Sequence, residues 1–343
     1  MTGHLVLYKS FILLFLLLFS IKNFAQEYPE PTVNSLLKSG IDYLINQKYS
    51  QAKSEFEKLN NKFPALPLGK IYIAAEEIAR GYDNGEEYND KTISGYLNEA
   101  KEQAEKLLKK KADIWNYYFL GLAEGYNAYY EGLNGNWLTS LNEAVSSTSK
   151  MEECLKTNPE FYEAFSGIGN YKYWKSEKTE FLNWLPFIHD DRNEGIRLLE
   201  AGAEKSSYNR YLAFNSLIWI YIDKKNYNEA VQIAEKALQE YPETRFFKWG
   251  LARAYEDIDR LKSIKYYYDI LNSYTNLSGM NHYNEILLKH LIAQQYAKLG
   301  DKPKALKMCG EILAIKGLSD FVKNKLGNRL ERVKELQRSL AEN

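Results

Sequence analysis

Three times in this chain a tyrosine is followed nine residues later by an alanine across a short polar turn: Tyr43 and Ala52, Tyr221 and Ala230, Tyr296 and Ala305. Three residues before each tyrosine stands Gly40, Ile218 or Ala293. An order that recurs in this way marks one supersecondary unit used repeatedly, and a unit of two short helices cannot bury both of its faces alone. The units must therefore stack. Small residues serve where two helices cross closely, and larger ones fill the space between neighbouring units.

The fullest unit is YLAFNSLIWIYIDKKNYNEAVQIAEKALQEYPE, with Phe214, Leu217 and Tyr221 before the turn, then Ala230, Ala234, Ala237 and Pro242. It resembles the tetratricopeptide repeat, a hairpin of two antiparallel helices in about 34 residues. Ile218 departs from the family, which prefers Gly or Ala there, and implies a wider crossing. LLKSGIDYLINQKYSQAKSEFEKLNNKFP repeats the order with Leu36, Gly40, Tyr43, Ala52, Phe56 and Pro64. A further unit supplies Leu251, Ala252 and Tyr255, with Ile264 in place of the expected alanine.

Residues 67–207 are less regular, but the small residues still pair. Ala74 with Ala100, Gly121 with Ser147, and Gly169 with Gly195 are each 26 residues apart, against 12 for Gly40 and Ala52. The excess of 14 is close to four helical turns, so two added turns per helix keep the same face inward. Long hairpins are expected, with tips at ARGYDNGEEYNDK, YEGLNGNWL and KSEKTEFLNWLPFIHDD. The first two carry Gly/Asn turn chemistry and the third does not.

The expected fold is an all-α, tetratricopeptide-type superhelix of about seven hairpins plus a C-terminal capping helix. A regular repeat spans 33–66, three lengthened hairpins 67–207, three repeats 208–317 and a polar cap 318–343. Residues 1–25 read as a secretory signal peptide, with Lys9 before the apolar run Phe11–Ile21 and Ala25 at the cleavage position. Eleven apolar residues are too few to cross about 30 Å of hydrocarbon. Cleavage leaves Gln26 first, and no later run is long enough to span a membrane. The mature chain is expected to be exported, in the periplasm or cell envelope of a Gram-negative bacterium.

The 45 basic and 45 acidic residues cancel, which argues against nucleic acid as a partner. His189, His282 and His290 form no helical metal pair, and there is no nucleophile elbow, phosphate-binding loop or dinucleotide fingerprint. Cys154 and Cys309 have neither zinc nor disulfide-scaffold spacing and read as buried thiols. The pairs Glu76–Glu77, Glu86–Glu87 and Glu152–Glu153 read as solvated helix faces. No cofactor and no catalysis are expected.

The resemblance places the first helix of each repeat along a concave groove. Its register projects Asn170, Tyr173, Trp174, Asn215, Trp219, Trp249 and Arg253 inward. Asn amides can hold a peptide backbone, aromatics offer stacking area, and Arg can grip a carboxylate, so a protein or peptide partner is expected. A tightly closed superhelix would instead hold a small apolar or aromatic ligand. The Lys and Asn pairs of the family's carboxylate-clamp members are missing, so capture of a chaperone's acidic tail is not expected.

The third tip, WLPFIHDDRNEG, reads as a loop feeding a helix. Asp191 and Glu194 have capping-box spacing, and Gly195 falls where the two helices must approach. Trp184, Leu185, Phe187 and Ile188 read as a plug or a partner patch. WLPF followed by DDRNEGIRLLEAG also resembles a eukaryotic tetratricopeptide family that includes an inclusion-body clearance protein. That likeness covers about a tenth of the chain and agrees with long hairpins.

Overall fold

The computed structural model describes residues 26–180, 189–275 and 281–342, so the signal peptide read over 1–25 lies outside the described residues. Among those residues the chain forms sixteen α-helices, one short 3-10 helix (Tyr162–Ala164) and no strand. Fourteen of them pair in chain order: α1 (Pro31–Ile45) with α2 (Tyr49–Lys62), α3 (Leu68–Asn84) with α4 (Asp90–Lys110), and α5 (Ile114–Leu133) with α6 (Trp137–Thr157). Then come α7 (Phe165–Lys178) with α8 (Arg192–Lys205), α9 (Arg210–Asp223) with α10 (Tyr227–Glu240), α11 (Arg245–Ile258) with α12 (Arg260–Thr275), and α13 (Tyr283–Lys298) with α14 (Lys302–Ala314). The second helix of each pair packs on the first helix of the next. The result is an all-α solenoid of seven hairpins of tetratricopeptide type.

The polar end forms two helices rather than one, α15 (Asp320–Leu326) and α16 (Arg329–Glu342). Gly327, with φ of 53°, separates them, a left-handed φ that glycine adopts at little cost. The lengthening also divides unevenly. Helices α4, α5 and α6 have 21, 20 and 21 residues, whereas α7 and α8 have 14 each, like α2. In the fourth hairpin the surplus therefore lies between Lys178 and Arg192. Its sequence holds Pro186, which a helix interior does not accept, and lacks the Gly/Asn turn of the other two tips.

Two of the projected small pairs touch. Ser147 Oγ donates to the Gly121 carbonyl at 2.6 Å. A Cβ added to Gly169 would lie 2.8 Å from the Gly195 carbonyl oxygen, and one added to Gly195 would lie 2.7 Å from that of Gly169. Ala74 and Ala100 are both buried but belong to different apolar clusters. Ile218 is fully buried, and the small residue it displaces reappears on the next first helix: a Cβ on Gly250 would meet Ile218 Cγ2 at 2.4 Å. The array thus accommodates the departure by exchanging large for small across two hairpins.

At the start of α8, Asp191 occupies the N-cap but its side chain accepts no capping bond. Its carboxylate faces Lys175 at 3.5 Å, and Glu194 pairs with Lys172 at 3.2 Å, so the projected capping box does not form. Asp190 takes the role instead, accepting from Arg192 N at 3.0 Å and pairing with the Arg192 guanidinium. Arg192 also reaches Glu177 at 2.9 Å, which ties the two ends of the fourth tip together. The cysteines are free and buried, and burial pushes the Cys154 thiol up to about 12.

The carboxylates of Glu76 and Glu77 do not form a solvated face. Glu76 is 1% exposed and Glu77 8%, because α2 covers this side of α3. Glu77 accepts from Lys53 at 2.7 Å and from Arg80 at 2.6 Å. Burial opposes ionisation of Glu77, but these two cations outweigh it and hold its carboxyl below the usual range. Among the described residues Glu76 is ion-paired with Arg80 alone, at 3.6 Å, with Lys53 farther off, and its Oε2 has no hydrogen-bond partner. Burial, reinforced by the charge of Glu77, pushes its carboxyl up to about 7.

Two outcomes follow from this packing. Gly195→Ala is expected to lower stability by about 1–3 kcal/mol, since backbone must move, whereas Gly310→Ala on α14, where nothing lies within 4 Å, is expected to be neutral or to stabilise by about 0.5–1 kcal/mol. Thermal unfolding of the two variants checks this. For Glu76 the folded value, about 7, lies above the ordinary glutamate value of 4.5. Its contribution is therefore full below pH 4.5 and is lost as pH rises through 7. Glu76→Gln is expected to be more stable than the parent by about 1–3 kcal/mol at alkaline pH and equal to it near the ordinary carboxyl value, measured by urea denaturation.

Candidate functional site

The seven projected groove residues divide by what they already hold. Asn170 Nδ2 donates to Ser216 Oγ and to the Ser166 carbonyl, each at 2.8 Å, and so joins α7 to α9. Tyr173 is fully buried and its hydroxyl donates to Asp223 Oδ2 at 3.0 Å. Burial first, and then that carboxylate, push its phenol up. Trp174 is half-buried and meets the Tyr173 ring edge-on at 5.1 Å. Trp249 and Arg253 converge on Tyr267: the Trp249 ring lies 5.7 Å away, and Arg253 hydrogen-bonds the hydroxyl. Arg253 also donates to Glu256 at 2.6 Å, and Trp249 hydrogen-bonds Tyr274.

Asn215 and Trp219 differ from these five. Both are half-buried on α9, one helical turn apart, and among the described residues neither amide nor indole has a hydrogen-bond partner. Neither touches the Trp249–Arg253–Tyr267 group in any ring or polar contact. Trp184, Leu185, Phe187 and Ile188, the projected partner patch, lie outside the described residues.

The strongest polar cluster is one that sequence reasoning missed. Asp83, 5% exposed at the end of α3, receives the Arg245 guanidinium on both carboxylate oxygens, with Nε 3.0 Å from Oδ1. Tyr49 donates to Oδ2 at 2.9 Å and Tyr274 to Oδ1 at 2.8 Å. Asn284 Nδ2 donates to the Asp83 carbonyl at 2.7 Å, and the Arg245 guanidinium lies 4.5 Å above the Tyr274 ring. Burial opposes the charge on Arg245, but the hydrogen bonds and charge of Asp83 raise its pKa on balance. Around this centre Gln47 bonds Thr244 Oγ1 and Arg245 N, each at 3.0 Å, and Asn281 bonds the Gly85 carbonyl at 2.8 Å.

The consequence is geometric. Turns that close hairpins one and two are fastened to the starts of α11 and α13, four or five hairpins later. The solenoid therefore completes a turn and grips itself. Lys325 of α15 extends the seam by lying over the rings of Tyr88 and Tyr283, at 5.7 and 5.1 Å. At the other edge, Tyr28 stands edge-on to Trp115 at 5.2 Å, and its backbone N donates to Tyr208 Oη at 2.8 Å. Tyr211 hydrogen-bonds Tyr126, and Tyr72 meets the Tyr126 ring at 6.3 Å. Much of the chain's tyrosine is spent on these contacts.

One more buried carboxylate has a structural role. Glu163 accepts from Ser206 Oγ at 2.7 Å and from the backbone N of Ser207, Tyr208 and Asn209, capping the approach to α9. Burial pushes its carboxyl up to about 7 against these donors. Among the described residues no group of three or more His, Cys, Asp or Glu is placed to hold a metal ion. An open depression of about 540 Å³ is lined by Thr32, Leu36, Lys58, Asn61 and Lys62, none of them a groove residue. Among the described residues no helix is long and apolar enough to cross a membrane.

No protein-family model matches the chain, and no curated protein matches it. Among solved structures it is similar to a tetratricopeptide repeat protein from Parabacteroides merdae, with 17% identity, 92% of this chain and 100% of that one covered, and a TM-score of 0.37. The C-terminal part of a TPR repeat-containing protein from Cytophaga hutchinsonii gives 18% identity, coverage of 85% and 99%, and a TM-score of 0.44. Human IFIT1, solved as a dimer with PPP-AAAA, gives 15% identity and a TM-score of 0.48. That match covers 84% of this chain, and the chain spans only 62% of the IFIT1 structure. At these identities the likeness is one of fold alone.

Proposed function

We propose that this chain is an exported, non-catalytic scaffold that binds an extended peptide or protein tail along the first helices of its fifth and sixth hairpins. The observation that supports this is the state of Asn215 and Trp219, whose polar groups are unused while the other five groove residues are engaged within the array. A free carboxamide both donates and accepts, which matches a peptide backbone, and an indole one turn away offers stacking area and a donor. Balanced charge supports a protein partner over a polyanion. The leader read at residues 1–25 supports export, and N-terminal sequencing of the protein from its native cells is expected to begin at Gln26.

A second reading rests on Tyr129, which is 51% exposed and has the phenols of Tyr82, Tyr88 and Tyr126 close enough to act on its own. Exposed tyrosine rings grouped in this way offer stacking area to a small aromatic ligand.

Selection from a random peptide library on the chain from Gln26 onward separates the two. Extended peptides are expected to bind, and Asn215→Ala/Trp219→Ala is expected to weaken them about tenfold or more, roughly 1.4 kcal/mol, with the helical circular dichroism unchanged. Full binding by the folded double variant overturns the groove. Binding lost instead on Tyr129→Ala moves the site to the exposed tyrosines.

A further inference from the structure

Helix α6 carries an apolar face that the array does not cover. Trp137, Leu138, Leu141 and Val145 are 72%, 81%, 55% and 47% exposed. At 100° per residue they fall within a single 100° arc of the helix. Their exposure has a structural cause. Near its C-terminal end α6 meets α7 closely, and a Cβ on Gly167 would lie 2.2 Å from Met151 Sδ. Towards its N-terminal end the long α6 has little of the shorter α7 beside it, and this junction is the loosest between consecutive hairpins.

We propose that this face is the contact between two copies of the chain, with α6 packing antiparallel on α6 of a second copy about a two-fold axis. Charge supports that occupant. In a chain with 26% charged residues, the sixteen residues 134–149 hold one, Glu143, and it is paired with Lys101 at 2.7 Å. An isologous contact sets each group near its own copy, so a face stripped of charge meets itself without repulsion. A membrane-surface helix would carry Lys or Arg beside its apolar stripe, and here Lys150 and Lys156 lie beyond the stripe, with neither residue type within 134–149. Area supports it too. The four side chains present about 500 Å², near the upper end of what a monomer leaves in one patch. With the neutral rim of Asn134, Asn136 and Asn142, the face moves towards the roughly 800 Å² per partner of a stable interface.

The proposal is independent of the peptide groove, which uses α9. Sedimentation equilibrium of the chain from Gln26 onward, from about 1 to 200 µM, is expected to show a dimer with a dissociation constant in the micromolar range. Leu138→Glu/Leu141→Glu is expected to weaken it at least about a hundredfold, since charge then sits at the centre of the contact, with the helical circular dichroism unchanged. Asn142→Cys is expected to form a disulfide-linked dimer on mild oxidation, as the native thiols are buried. A monomer at all concentrations overturns the proposal, and so does a dimer that survives the double substitution. A monomer in which Trp137 is shielded from acrylamide overturns it in favour of residues 181–188 of the same chain as the cover.

Discussion

Asp83 is the point on which the shape of this molecule depends. A stack of helical hairpins held only by nearest neighbours is an open spring, with inner and outer faces both available. Here the last turn of α3 carries a buried carboxylate on which Tyr49 of the neighbouring hairpin and Arg245 and Tyr274 of the distant sixth hairpin converge. Bringing Asp83 and Arg245 out of water together costs nearly as much as their attraction returns, so the pair adds little net stability. Leaving either one alone in that position costs about 3–5 kcal/mol. The cluster therefore acts on choice of geometry: any winding that parts α3 from α11 strands a charge. The backbone bonds from Asn281 and Asn284 add direction to that constraint.

Closure decides which surfaces remain for partners. The first helices of hairpins one to three pack into one apolar cluster with Phe161, Ile168 and Tyr208, so that stretch of the inner face serves as core. Asn170, Tyr173 and Trp174 join their own neighbours, and Trp249 and Arg253 converge on Tyr267. What is left is narrow: the unengaged Asn215 and Trp219 on α9, the exposed Tyr129, and the apolar stripe of α6. The long second and third hairpins take part in both outcomes. One carries Asp83, Gly85 and Tyr88 to the seam, and the other carries α6 past its neighbour.

The hairpins themselves were legible because what specifies them is local. Gly121 with Ser147 and Gly169 with Gly195 are contacts between successive helices, and a spacing of 26 residues is visible in one chain. The clasp was not legible, since Asp83 and Arg245 are 162 residues apart and neither belongs to a motif. Glu76 was misread for a related reason. Periodicity shows which face of α3 is polar, but only the position of α2 shows that this face is covered. The α8 cap shifted by one residue, from Asp191 to Asp190, because Arg192 recruits the nearer carboxylate. Groove register was projected from the repeat alone, and the repeat does not say which inward residues the array will use for itself.

A double-mutant cycle on Asp83→Ala and Arg245→Ala, read by reversible denaturation, tests the closed array most directly. Each single variant leaves one buried charge unpaired, and the double variant leaves none. The account predicts a coupling energy of at least about 2 kcal/mol between two residues from the second and sixth hairpins. Additive effects, with coupling below about 0.5 kcal/mol, would show that the two do not touch in solution and that the solenoid is open.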